Sequence, residues 1–399
     1  MVDLLKGIRI VSFNHFLMGP VGVQFLADLG ADVIAIEPPD GAFQRKWGGV
    51  DNKSVDGQTM LLLTGNRNKR SLTLDLKKPE AIGVARKLIA TADVLAENFR
   101  PGVLDKLGLG FAEVRKIKPD IIYASASGYG ADGPYVNRPG QDLLVQALSG
   151  LATITGTREH GPRAVGVSAI DHHGAALFAA GILAALVRKE RTGQGGRVDV
   201  SLLSAAIDLQ MESFTCYLNG ERPDDVRQPQ SIAGWIYGAP YGIYATRDGH
   251  IAISLGSLDT LGDALAIRAA QRISDSDAYS RRDEAAEIIA ARVAALTTAE
   301  CVERLEARGI WHAAINDYSD VVTDPQVTHN KSFQTVQGAT GSPVTLVSHP
   351  VRYDGEVPEI RLPPQKLGAQ SEEVLRELGY DAEQMQALYT KGAVGAAVD

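Results

Sequence analysis

The chain predicts an α/β fold built on a doubly wound parallel sheet, from a compact βαβ unit at its start and the recurrence of that alternation through its first half. From Gly7 to Glu37 a strand-like run (IRIVSF) is followed by a Gly-Pro turn, a helix over Val21–Leu29 and, after Gly30, a second strand (ADVIAIE). The alternation then repeats. Ala81–Ala90 has helical spacing, ADVLAENF reads as a strand, Phe111–Ile117 as a helix, and DIIYASASGYG as a β-branched strand closing in a glycine turn. A length of 399 residues suits two domains, or one large α/β core carrying an inserted module.

Helical periodicity governs Leu143–Gly150 and Gly174–Arg191, and the TGQGG stretch then breaks the chain before a strand and helix over Arg197–Met211. The longest apolar run, Ala175–Val187, has 13 residues and contains Gly181. It falls short of the roughly 18 to 20 residues that span a bilayer and reads as a buried helix. Beyond Leu218 the composition turns polar and rich in Gly and Pro, which marks residues 219–240 as a linker or loop. A small unit over 241–322 follows, in which YGIYAT and HIAISL flank the turn Arg247-Asp248-Gly249. Residues 1–218 thus form the first part of a large domain, and 323–399 a return segment. The tail carries Val344, Leu346, Val347, Val351 and Leu362, which require burial, and an N-cap signature at Ser371 before an amphipathic helix.

The composition, 45% hydrophobic and 22% charged, is that of a soluble globular protein. A formal charge of −8 argues against nucleic acid as a partner and leaves room only for a local basic pocket. Two cysteines far apart, Cys216 and Cys301, fit a reducing compartment, and the N-terminus shows no secretory pattern, so the cytoplasm is expected and no membrane partner. No G-x-G-x-x-G follows the first strand, and no Walker A, G-x-S-x-G or H-E-x-x-H sequence is found. Asp171, His172 and His173 are adjacent, and neighbours on a helix point about 100° apart, so this triplet is a poor chelator and no metal is expected. Asp171 itself stands where a short apolar segment gives way to a long apolar helix. It reads either as an N-cap, worth about 0.5–2 kcal/mol, or as a carboxylate kept ionised by helix N–H groups and available as a nucleophile, its ordinary pKa being about 3.9.

Ordered blocks along nearly the whole chain decide between these readings: GPVGVQFLADLGADVIAIEPPDG, NRNKRSLTLDLKKPE, ADVLAENFRPG, DKLGLGF, KPDIIYASASGYGADGPY, GQDLLVQALSGL, IDHHGAALFAAGILAALVRKERTGQGGRVDVSLL, PYGIYATRDGHIAI and PPQKLGAQSEEVLRELGY. In this order they resemble the class III coenzyme A-transferases of the CaiB/BaiF type, a group that includes formyl-CoA and carnitine CoA-transferases and the α-methylacyl-CoA racemases. The resemblance implies that Asp171 is the nucleophile and that Leu74, Lys77, Asn98, Phe99, Arg100 and Lys106 bind coenzyme A. Lys and Arg suit its phosphates, and apolar or aromatic surface suits its adenine. It further implies coenzyme A thioester as substrate with no tightly bound cofactor, a tail that completes a Rossmann-like large domain around a smaller inserted α+β domain, and a homodimer of interlocked rings. Leu17 stands where formyl-CoA transferases carry Gln, and Pro38 where a basic contact is frequent. Gln141 replaces the His of the racemases, and an amide has no useful pKa for proton abstraction. Gly234 and Gly238 lend mobility to the loop of the 230s, but the glycine run that the family carries over the acyl group is not evident here, so no loop is assigned to shield that group. Transfer of coenzyme A from an acyl-CoA to a carboxylic acid is the first reading. A racemase, isomerase or intramolecular shift on the same fold, and a non-catalytic acyl-CoA-binding protein, are the alternatives.

Overall fold

The computed structural model describes residues 2–49, 51, 53–220, 222–229 and 231–395. They form two compact units. The first is drawn from Met1–Val145, Ser168–Leu209 and Pro325–Asp399, the second from Gln146–Val167 and Gln210–Asp324.

In the first unit, β1 (Arg9–Phe13), β2 (Asp32–Glu37), β5 (Lys69–Thr73), β6 (Val94–Glu97), β7 (Ile122–Ser127) and β8 (Gly196–Ser201) form a sheet in the order β5-β2-β1-β6-β7-β8, and β3 (Ser54–Val55) pairs with β4 (Gln58–Thr59) as a small hairpin. Every neighbour in the six-stranded sheet is parallel. The central strands are almost wholly buried, which is why their sequences are continuous apolar runs rather than alternating ones. Winding proceeds outward from β1 to β2 and β5 on one side, and through β6, β7 and β8 on the other. The crevice at the carboxyl ends of β1 and β6 is therefore the topological switch point of the sheet, the place where ligands bind in open α/β folds. One core joins Val11, Ile34, Leu72, Leu88 and Leu95 to Val374, Leu375 and Leu388 of the tail.

The helix after β1 begins at Met18, not at Val21. The expected Gly-Pro turn is its first turn, where Pro20 lacks only an amide that no intrahelical acceptor awaits. Gly19 is required there, because a Cβ would lie 2.3 Å from the Asn14 Oδ1. This helix, Met18–Asp28, crosses the long helix Ala169–Thr192 at two glycines. A Cβ on Gly22 would meet Phe178 Cδ1 at 2.9 Å, and one on Gly174 would meet Met18 Cε at 2.9 Å. The crossing holds the two N-termini together.

The long helix has 24 residues and is long and apolar enough, by length and composition alone, to cross a bilayer. It is not a wholly buried helix. Only a stripe through Ile170, Gly174, Phe178 and Ile182 is buried, while Val187 is 49% exposed. Gly193 ends it in the left-handed conformation, φ 70°, and its N–H returns to the Lys189 carbonyl.

The second unit holds an antiparallel sheet in the order β11-β10-β9, formed by β9 (Gly242–Ala245), β10 (His250–Ile253) and β11 (His312–Ala314). Helices Leu258–Leu265, Arg282–Val293 and Thr298–Glu306 pack their apolar faces on it around Tyr244, Ile251, Leu261, Ile289 and Leu305. Residues 146–167 and 210–218 cluster with this unit rather than with residues 1–145.

Within the return segment, β12 (Phe333–Gln337) and β13 (Pro343–Val347) form an antiparallel hairpin. Val344 and Leu346 are buried beside Leu63, whereas Val347 and Val351 stay 67% and 47% exposed. Ser371 is the first helical residue and Gln370 the cap position, so the expected Ser371 cap is displaced by one. Ser371 Oγ instead accepts from Thr73 N–H at 3.3 Å.

Candidate active site

Asp171 is the third residue of the long helix, whose cap position is Ser168. It is therefore not an N-cap. The capping carboxylate comes from Asp142, the first residue of helix Asp142–Leu148, whose Oδ2 accepts the Ile170 and Asp171 N–H groups at 2.8 and 3.0 Å. Burial first, and the neighbouring Asp142 charge second, push the Asp171 carboxyl up to about 7, against the backbone N–H of Met18, which favours the ionised form. The expectation of a carboxylate held ionised by its own helix is thus corrected. Asp142 takes those amides, and the stabilising donor is the first amide of the Met18–Asp28 helix instead.

That amide places the nucleophile candidate at the switch point. Met18 lies just beyond the end of β1, and the end of β6 is tied to the same place by a reciprocal pair: His15 N–H donates to Asn98 Oδ1 at 2.8 Å, and Asn98 Nδ2 donates to the His15 carbonyl at 2.7 Å. Phe99 follows, its ring 5.2 Å from that of His15, which in turn contacts Phe16 and, through it, Phe43. Burial lowers His15 to about 4, so its ring is neutral at pH 7. Beneath Phe99, Glu97 accepts from the Phe99 N–H at 2.9 Å and from the Ser125 hydroxyl, and burial raises its carboxyl to about 7.

The remaining expected residues divide by place. Leu17 is the cap position of the Met18–Asp28 helix and Gln141 directly precedes Asp142, so each is one residue in sequence from a group that interacts with Asp171. Leu74 is 1% exposed and belongs to the sheet's core. Lys77, Arg100 and Lys106 are exposed, and among the described residues their charged ends form no ion pair. Gly234 and Gly238 lie in the second unit, the former accepting the Tyr237 N–H at 3.0 Å to close a turn. His173 Nε2 meets Asp208 Oδ2 at 2.7 Å, joining the long helix to helix Leu202–Leu209. The His172 pKa is lowered by the partial burial of its ring, against the opposing pull of Asp142. Sequence reasoning missed Asp142 and Met18. The only signal for Asp142 was an acidic residue opening a helical run, and nothing in its spacing says that it caps a helix 29 residues away.

The family model described as CoA-transferase family III matches residues 5–371. The chain belongs to this family. As a CoA-transferase it acts on coenzyme A thioesters, and its relatives exchange coenzyme A between acyl-CoA and carboxylic acids. It is 33% identical over 400 residues to the succinyl-CoA:glutarate CoA-transferase of Mus musculus, covering 98% of this chain and 90% of that one. It is 31% identical over 402 residues to the succinyl-CoA–L-malate CoA-transferase beta subunit of Chloroflexus aurantiacus, covering 98% of each. Among solved structures, a CaiB/BaiF family protein from Brucella suis superposes with a TM-score of 0.80 at 27% identity, over 95% of this CoA-transferase and all of that chain. Rv3272 from Mycobacterium tuberculosis superposes at 0.78 with 29% identity, over 93% and 98%.

Proposed function

We propose that this CoA-transferase moves coenzyme A from an acyl-CoA to a small carboxylic acid through covalent states of Asp171. The observation that carries the reading is a half-buried carboxylate at the switch point of a parallel sheet, facing the first amide of a helix. Burial makes the carboxylate more basic and less solvated, which suits a nucleophile. Asp171 attacks the thioester carbonyl, the C–S bond breaks, and a mixed anhydride forms as the coenzyme A thiolate leaves. The thiolate then attacks the Asp171 carbonyl carbon and expels the donor carboxylate, leaving an aspartyl-CoA thioester. An acceptor carboxylate attacks the same carbon and releases the thiolate again, which takes the acceptor's acyl group and frees Asp171. Each exchange conserves the activated bond, and the Met18 amide is the donor positioned for the developing oxyanion.

Lys77, Arg100 and Lys106 serve as cations for the phosphates, Phe99 as apolar surface, and Asn98 as the brace that sets the crevice, while the buried Leu74 supports the sheet beneath. Relatives named for glutarate, malate and oxalate make dicarboxylic acids the first acceptors to assay. The enzyme works as a cytoplasmic homodimer without a tightly bound cofactor. Racemisation is disfavoured by Gln141, which cannot serve as a base.

Replacing Asp171→Ala tests the reading. Turnover is expected to fall by about three orders of magnitude or more while coenzyme A affinity stays near normal. A variant that keeps more than about a tenth of the wild-type kcat contradicts it.

A further inference from the structure

The carboxylate of Asp142 opens one helix and caps another. Asp142 is 8% exposed, and a single oxygen of it receives both first-turn amides nearest the nucleophile, at 2.8 and 3.0 Å. Two results follow from that placement. The main chain of Asp171 is anchored, and its side chain has a fixed negative neighbour where helix N–H donors would otherwise stand.

Resting on the reading of Asp171 as nucleophile, we propose that Asp142 is a positioning residue that biases Asp171 toward its covalent states. The free Asp171 carboxylate is negative and is repelled by Asp142. The anhydride and the aspartyl-CoA thioester are neutral at this atom and are not. Repulsion between a buried and a partly buried charge is weakly screened by salt, so the bias persists at physiological ionic strength. The groups facing Asp171 are few among the described residues: Asp142 from helix Asp142–Leu148 and the Met18 amide from helix Met18–Asp28, while His172 on its own helix interacts with Asp142. Asp142 is thus the charge that raises the free carboxylate relative to its adducts, in addition to burial.

Asp142→Asn tests this, because its amide oxygen can still accept both N–H groups while the charge is gone. Asp142→Ser, neutral and a good cap, is a second charge-free form, and Asp142→Glu keeps the charge. Two quantities are read: the acidic midpoint of the kcat/KM profile, and the fraction of enzyme carrying coenzyme A covalently at a fixed ratio of acyl-CoA to free carboxylate. The wild-type midpoint is expected near pH 7. In the neutral variants it should fall by about one pH unit, with an adduct-to-free ratio lowered about tenfold. Asp142→Glu should stay close to wild type in both. Neutral variants with wild-type midpoint and adduct ratio overturn the proposal. So does a wild-type midpoint near the ordinary carboxylate value of about 4, a measurement that holds even if no variant folds. Asp171→Ala separates the two claims: its inactivity beside unshifted Asp142 variants rejects the role of Asp142 alone, whereas an active Asp171→Ala rejects the nucleophile itself.

Discussion

At Asp171, stability and reactivity pull in opposite directions. Its folded pKa of about 7 lies above the ordinary 3.8, so the folded protein binds this proton more tightly than the unfolded chain does. Any stability from that proton is complete below about pH 4 and is lost as pH rises through about 7, above which the fold holds an unfavourable buried charge. Asp171→Asn removes that charge and keeps an oxygen for the Met18 amide. The variant should be more stable than wild type at pH 8 by the order of 2 kcal/mol, with no gain at pH 4. Parallel urea melts at the two pH values check this, and equal stabilities at pH 8 would show that the carboxylate is not strained. Asp171 stood out in the sequence as an acidic residue at the start of a long apolar helix, but that signal fits an N-cap as well as a nucleophile, and its reading as nucleophile rests on the family resemblance. The environment of Asp171 was not legible, because both Asp142 and Met18 reach it through tertiary packing.

The elements were read most reliably where burial is two-sided. The strands β1, β2, β6 and β7 announce themselves as apolar runs because helices cover both faces of a parallel sheet. In the hairpin, β13 alternates exposed and buried residues and β12 exposed and half-buried ones, over only five positions each, a pattern too short and too polar to stand out. The Gly-Pro pair was misread for a physical reason. Both residues are common in turns, yet Pro is also favoured in a helix's first turn, and the Asn14 side chain requires glycine at position 19. The crossing of helices Met18–Asp28 and Ala169–Thr192 sets the distance between the Met18 amide and Asp171, which makes its glycines the sensitive points. Gly22→Ala would bring its Cβ to 2.9 Å from Phe178 Cδ1 and 3.1 Å from the Ala175 carbonyl. Overpacking of this kind costs about 1–3 kcal/mol. Thermal melts together with kcat should show both a less stable and a slower enzyme. Wild-type values for both would show that the crossing relaxes without moving the site.

Across the whole molecule, the return segment is tied to the first part of its unit by buried polar groups. Arg67, 3% exposed, pairs with Asp28 at 2.7 Å and donates to the Val347 carbonyl, and His349 Nδ1 lies 3.3 Å from the same carboxylate. Burial raises the Asp28 pKa, and hydrogen bonds from His349, Arg67 and Asn68 more than offset it, leaving Asp28 below the usual carboxylate range. Asn68 Oδ1 accepts the Arg361 and Leu362 amides, and Lys69, lowered by burial to about 7, donates to the Pro20 and Gly65 carbonyls. The NRNKR sequence is thus an internal fastening, a role that charged residues in a polar-looking stretch conceal. The chain also leaves much apolar surface uncovered. In the first unit Leu143, Val187 and Ile207 are 60%, 49% and 41% exposed; in the second, Leu218, Trp311 and Tyr318 are 63%, 78% and 84% exposed. The interlocked dimer proposed above would cover such side chains and would leave no folded monomer at any dilution. Sedimentation at nanomolar concentration should report about 85 kDa, twice the 42.5 kDa chain. A stable, active monomer would refute the interlocked assembly.

The covalent role of Asp171 is tested most directly by mass spectrometry of the protein after incubation with an acyl-CoA and no acceptor. Coenzyme A should be found in thioester linkage on the peptide that contains Asp171, released by hydroxylamine and lost in Asp171→Ala. An adduct on another peptide, or an unmodified protein that instead exchanges the substrate's α-hydrogen with solvent, would contradict it.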